Sequence, residues 1–139
     1  MTTTNTIYKI LIIEDDYQMA AEWQGILTKK GYAVDSVASA DDVVPLLKND
    51  YDCFILDLFH VKNNEFLSDG GIRCISKIRS YEVPQKRKSL IIAVTGFFRK
   101  GLDGFMSTNE VVSNLGADVV LEKPFDVVKL HDLIEKNIT

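Results

Sequence analysis

Three stretches of this chain are almost wholly apolar, and each stops at an acidic or hydroxyl residue. Ile7 to Ile13 runs into Glu14-Asp15-Asp16, Cys53 to Leu58 carries Asp57 at its end, and Leu90 to Val94 closes on Thr95-Gly96. A strand with one wetted face alternates apolar and polar residues, so runs without alternation belong to strands covered on both faces, as in a parallel sheet between helical layers. Tyr32 to Val37 and Val119 to Leu121 read as two shorter strands.

Helical spacing fills the intervals. Met19, Ala20, Trp23, Ile26 and Leu27 share a face between Asp16 and Lys30, with lysines in the last turn and Gly31 as the stop. Ser39 with Asp42 resembles a capping box opening a helix to about Lys48, which Pro45 is expected to kink or shorten. A polar loop then leads from Asp57 to a helix over Gly70 to Ser80, with Ile72, Ile75 and Ile78 on one face. Ser107 with Glu110 opens a further helix that stops at Gly116, and Asp126 caps a last one carrying Val127, Leu130 and Ile134. Each parallel connection needs a crossover, so five strands alternating with five helices predict a doubly wound α/β fold.

A chain of 139 residues has room for one domain, and 46% apolar with 26% charged residues is a globular composition. Sixteen basic against 20 acidic residues leave a net charge of -4, which gives no general attraction to nucleic acid or anionic lipid. The apolar runs fall well short of the roughly 18 residues a membrane span requires, and Met1 to Thr6 lacks a signal peptide's apolar stretch, so a cytoplasmic protein is expected. Cys53 and Cys74 form neither a CxxC pair nor a disulfide framework and read as small buried groups. The charge cluster Pro84 to Ser89 reads as a solvated loop.

In open α/β sheets the ligand site lies beyond the carboxyl ends of the strands. Glu14, Asp15, Asp57 and Thr95 sit at such ends, and Lys123 follows the fifth strand. Carboxylates about 4 Å apart repel by about 4 kcal/mol per pair at an effective dielectric near 20, which one lysine does not offset and a hard divalent cation does. Mg²⁺, with its preference for oxygen ligands, suits such a set. Taken singly, Asp15 or Asp16 could merely cap the first helix, and Asp57 could merely end a strand.

As an ordered set, these residues resemble the receiver domain of two-component response regulators. The carriers are Glu14-Asp15 after Ile10-Leu11-Ile12-Ile13, Asp57 after Phe54-Ile55-Leu56, Thr95 after Ile91-Ile92-Ala93-Val94, and Lys123-Pro124-Phe125. The resemblance runs from Ile7 to about Asn137 and makes residues 1–139 one receiver domain with its core at about 7–137. It implies a flavodoxin-like strand order 2-1-3-4-5. It also implies that Asp57 accepts a phosphoryl group from a histidine kinase or phosphotransfer protein in a phosphorelay, forming an aspartyl phosphate. Mg²⁺ would be held by Asp15 and Asp57, by Glu14 through water, and by the main-chain carbonyl of Phe59. Lys123 would pair with a phosphoryl oxygen, the Thr95 hydroxyl would move to donate to another and report the modification, and Lys123-Pro124 would be cis.

The chain departs from that pattern in four places. No proline follows the acceptor, and Asp69-Gly70 comes 12 positions after Asp57, a loop several residues longer than usual. A second lengthening between Thr95 and Lys123 gathers Phe97, Phe98, Phe105 and Met106, read as core packing or as an apolar partner patch. Val120 stands where many receivers carry an aromatic switch residue, which puts the switching mechanism in doubt. Phe59 and Phe97 stand at positions from which receiver side chains flank the path of hydrolytic water, and by that resemblance they are expected to slow hydrolysis of the acyl phosphate. His60 and His131 read as decoration of a loop and a helix surface.

The leading expectation is a stand-alone receiver that signals by changed protein–protein binding to a downstream target. It would not be a turnover enzyme, would need neither nucleic acid nor membrane, and leaves dimerisation open. The alternative is a receiver-fold interaction module independent of phosphorylation, favoured by Val120 and the two longer loops. A third reading, a phosphohydrolase with Asp57 as nucleophile, needs an aspartate as general acid where this chain has Phe59.

Overall fold

The computed structural model describes residues 6–57, 60–62, 65–67, 69–95 and 116–138, with side chains not described over 60–72. In chain order the elements are β1 (Lys9–Ile13), α1 (Tyr17–Lys29), β2 (Ala33–Val37), β3 (Cys53–Asp57), β4 (His60–Lys62), β5 (Glu65–Leu67), α2 (Asp69–Glu82), β6 (Leu90–Thr95), β7 (Val119–Glu122) and α3 (Val127–Asn137). Five of these strands form one parallel sheet in the order β2-β1-β3-β6-β7, which is the expected 2-1-3-4-5 order of a doubly wound fold.

The unbroken apolar runs follow from two-sided burial. Leu11, Ile13, Phe54, Leu56, Ile91 and Ala93 point to one face of the sheet, where Cys74, Ile75 and Ile78 of α2 cover them with Val43 and Leu47. Ile10, Ile12, Cys53, Ile55, Ile92 and Val94 point to the other, beneath Ala20, Trp23 and Leu27 of α1 and Leu130 and Ile134 of α3. Alternate residues thus face opposite layers that are both dry, and every position must be apolar. Both cysteines are buried and unpaired, as read, and burial pushes the Cys74 thiol up to about 11.

Local signals place the helix ends. Asp16 is the N-cap of α1, its Oδ1 accepting the amide N–H of Gln18 at 3.0 Å and of Met19 at 3.1 Å. Gly31 leaves the helix at φ +102°, a left-handed turn without steric penalty for glycine. Asp126 caps α3 by accepting the Val128 amide at 2.9 Å.

Two expectations are corrected. The Ser39–Lys48 segment is not an α-helix but two 3-10 turns, Ala40–Asp42 and Val44–Asn49. Pro45 stands in the first turn of the second, where it lacks the amide and crowds the preceding carbonyls that a continuous α-helix would need. Ser39 does not close a capping box: its hydroxyl lies 3.1 Å from the Asp42 carboxylate. The stretch after Asp57 is not simply a loop, because β4 and β5 pair antiparallel, His60 opposite Leu67 and Lys62 opposite Glu65. The expected Ser107–Leu115 helix lies outside the described residues.

At the amino edge of the sheet, Arg79 of α2 ties neighbouring segments together. Its guanidinium donates to the Gly116 carbonyl at 3.0 Å, the Ser89 carbonyl at 2.8 Å, Glu82 at 2.9 Å and Asp118 at 2.8 Å. Asp118 in turn accepts the Ile91 amide at 2.9 Å, so α2 and the starts of β6 and β7 share one network. Among the described residues no helix is long and apolar enough to cross a membrane.

The cap on α1 makes a measurable prediction. Asp16→Ala removes the acceptor for two helix amides and is expected to lower stability by about 1 kcal/mol, read as an earlier midpoint in urea unfolding.

Candidate functional site

Strand register brings the site together. Ile13 lies opposite Leu56, so Glu14 and Asp57 leave the sheet side by side; Asp57 pairs with Val94, which sets Thr95 one step beyond it. Thr95 pairs with Glu122, and its carbonyl accepts the Lys123 amide at 2.7 Å, which places Lys123 at the same edge. The Lys123-Pro124 peptide is cis.

Glu14, Asp15 and Asp57 each offer a carboxylate oxygen within 4.8 Å of the others. Asp16 serves as the helix cap, which leaves Asp15 to the cluster and separates two roles that the sequence alone could not assign. Glu14 is the most enclosed, its side chain 1% exposed, against 11% for Asp57. One Glu14 oxygen accepts Lys123 Nζ at 2.6 Å and the other accepts the Asp16 amide at 3.2 Å. Lys123 Nζ also donates to Asp57 Oδ2 at 3.2 Å. The lysine therefore bridges the acidic pair to the end of the central strand.

The protonation equilibria follow from this packing. Burial pushes the Glu14 carboxyl above its ordinary value, and the hydrogen bond and charge of Lys123 counter that only in part. For Lys123, burial works against the ammonium, but the hydrogen bond to Glu14 and the charges of Asp57 and Glu14 outweigh it and its pKa is raised. Three carboxylates face one ammonium here, and an oxygen-liganded divalent cation matches their donor set.

The sequence-derived set is brought together in Glu14, Asp15, Asp57 and Lys123, with the wholly buried Thr95 at the end of the adjoining strand. Phe59, whose carbonyl was expected to complete the metal shell, lies outside the described residues, as do Phe97, Phe98, Phe105 and Met106. Val120 is half-buried against the core on the α2 side of the sheet. His131 meets the Tyr32 ring edge-on at 5.9 Å, with Glu135 at 3.9 Å, away from the acidic cluster's residues. What the sequence reading missed is Trp23: its ring centroid lies 5.9 Å from Lys123 Nζ. Its helical register marked it only as a core residue, and a contact spanning that much chain leaves no local signal.

Because Lys123 holds its proton more firmly in the folded chain, its contribution to stability is complete at neutral pH and is lost as pH rises through the raised pKa. Urea unfolding carried from neutral into strongly alkaline solution should show that decline. Lys123→Met should be less stable at neutral pH and show a flatter alkaline limb.

Comparison with known proteins agrees with the geometry. A family profile described as "Response regulator receiver domain" matches residues 10–135. Among solved structures, the chemotaxis protein CheY4 of Vibrio cholerae, crystallised at low pH, superposes with a TM-score of 0.75 at 17% identity, covering 96% of this chain and 100% of that one. A CheY-like receiver domain protein from Methanospirillum hungatei JF-1 gives 0.73 at 23% identity over 96% and 94%. The signal receiver domain of a putative Luxo repressor protein from Vibrio parahaemolyticus gives 0.74 at 18% identity over 96% and 91%.

Proposed function

The chain belongs to the response regulator receiver domain family, and from that premise we propose that Asp57 accepts a phosphoryl group from a histidine kinase or phosphotransfer protein. The observation that carries this reading is the position of Asp57: it ends the buried central strand, keeps 11% of its side chain exposed, and already accepts the Lys123 ammonium in an ion pair. A carboxylate so placed is held still, open to a donor, and next to a cation that can meet incoming negative charge.

Receiver domains bind Mg²⁺ at an acidic pocket, and the crowded carboxylates here fit such an ion. Glu14, Asp15 and Asp57 would hold it, with the main-chain carbonyl of Phe59. When bound, the ion supplies positive charge to the phosphoryl oxygens and to the carboxylates around them.

An Asp57 oxygen attacks phosphorus, the new O–P bond forms, and the bond to the donor breaks with its electron pair leaving on the donor. Lys123 turns from Asp57 toward a phosphoryl oxygen while Glu14 keeps its ammonium from drifting into solvent. The Thr95 hydroxyl, buried at the end of the neighbouring strand, donates to another phosphoryl oxygen and so registers the modification. The acyl phosphate carries about −1.5 to −2 charge in place of the carboxylate's single negative charge, so this edge gains at most about one, and the domain signals through altered contact with a protein target.

Intact mass after incubation with acetyl phosphate and Mg²⁺ tests the proposal. A phosphoryl increment is expected in the natural chain and absent in Asp57→Asn and in metal-free samples. An increment that survives Asp57→Asn would place the acceptor elsewhere, and its absence with both acetyl phosphate and a panel of histidine kinases would overturn the reading.

A further inference from the structure

Lys123 has a third neighbour besides its two carboxylates. Trp23 sits on the sheet-facing side of α1, 3% exposed, and its ring lies under the ammonium with 5.9 Å between Nζ and the centroid. Phe125 braces it, ring centroids 5.3 Å apart and planes inclined by 30°. A groove of about 360 Å³ runs beside the pair, lined by Met19, Glu22, Trp23, Lys123 and Phe125, so the lysine stem lies along apolar surface while its head reaches the acidic cluster.

We propose that Trp23 is a positioning residue for Lys123, its indole face holding the ammonium at the Asp57 edge while the oxygen partners of that ammonium change. This rests on the phosphoacceptor reading above. An aromatic face attracts a cation through its quadrupole and uses none of the three N–H donors of a lysine, so these stay available to oxygens. The attraction also has a broad angular profile compared with a hydrogen bond. An ammonium seated on a ring can therefore swing from Asp57 toward a phosphoryl oxygen without losing its anchor, whereas one held by carboxylates alone would exchange one anchor for another. Trp23 makes no contact with the reacting atoms in this scheme and acts only through Lys123.

Ring-current shifts in NMR spectra of the metal-free, unphosphorylated chain provide the direct test. The Lys123 ε-methylene protons should resonate upfield of ordinary lysines, keep part of that shift in Trp23→Phe, and lose it in Trp23→Leu. The rate of Asp57 phosphorylation by acetyl phosphate with Mg²⁺ should fall roughly two- to tenfold in Trp23→Leu and be largely restored in Trp23→Phe, the range a cation–π contact supports. Lys123 protons at ordinary positions in the natural chain would overturn the proposal, as would equal rate losses in the two variants, which would make Trp23 a core residue alone. If Trp23→Leu does not fold, the natural chain's spectrum and Trp23→Phe decide the matter. If the natural chain takes no phosphoryl group at all, the functional reading falls by itself, and the ring-current shift still decides what holds Lys123.

Discussion

Three carboxylates gathered within 4.8 Å at a partly buried edge create an electrostatic demand that governs the rest of this molecule. At such distances each pair repels by several kcal/mol even under effective screening, roughly 4 kcal/mol at 4 Å. The fold tolerates this because Lys123 lies between Glu14 and Asp57, at 2.6 and 3.2 Å. One ammonium does not balance three carboxylates, and burial holds the carboxyl of the deeply enclosed Glu14 above its ordinary value in spite of Lys123. An arrangement that remains short of positive charge is unfavourable as architecture and useful as a receptor for a cation and an electrophile.

Maintaining that arrangement is the business of the sheet. β3 is central, with Phe54 and Leu56 under one helical layer and Cys53 and Ile55 under the other, so the strand that ends in Asp57 has no free face along which to shift. Parallel pairing aligns the carboxyl ends of β1, β3, β6 and β7, and the registers Ile13–Leu56, Asp57–Val94 and Thr95–Glu122 bring Glu14, Asp57, Thr95 and Lys123 to one edge. The opposite edge is closed by Arg79, whose bonds to Glu82, Ser89, Gly116 and Asp118 lock α2 to the strand starts. Charge is mutually satisfied at the amino edge and left in deficit at the carboxyl edge.

Features that depend on a strand or helix as a whole were legible in the sequence. Continuous apolar runs specified two-sided burial, and the residues ending them specified the site, because strand ends and chain positions coincide. Features that depend on single positions were less so. Asp15 and Asp16 are both plausible caps by type, and only the bonds from Gln18 and Met19 assign the cap to Asp16. Pro45 was visible, but a proline alone does not say whether a helix kinks or the whole segment falls to 3-10 turns, and Val43 and Leu47 reach the core in the 3-10 form. The β4–β5 pair involves only three residues a side, too short for alternation to stand out. Trp23 looked like core, and is core; its seat beneath Lys123 arises from tertiary packing between α1 and the residues after β7.

Among the described residues, the β4–β5 ladder shares no strand pairing with the five-stranded sheet. It is spliced in between Asp57, which ends the immobile central strand, and Asp69, which begins a helix clamped at its far end by Arg79. Side chains on β4 and β5 can therefore be exchanged without displacing any strand register on which the acidic cluster depends. β4 and β5 thus lengthen the chain between the central strand and α2 without adding a constraint on how the five strands align.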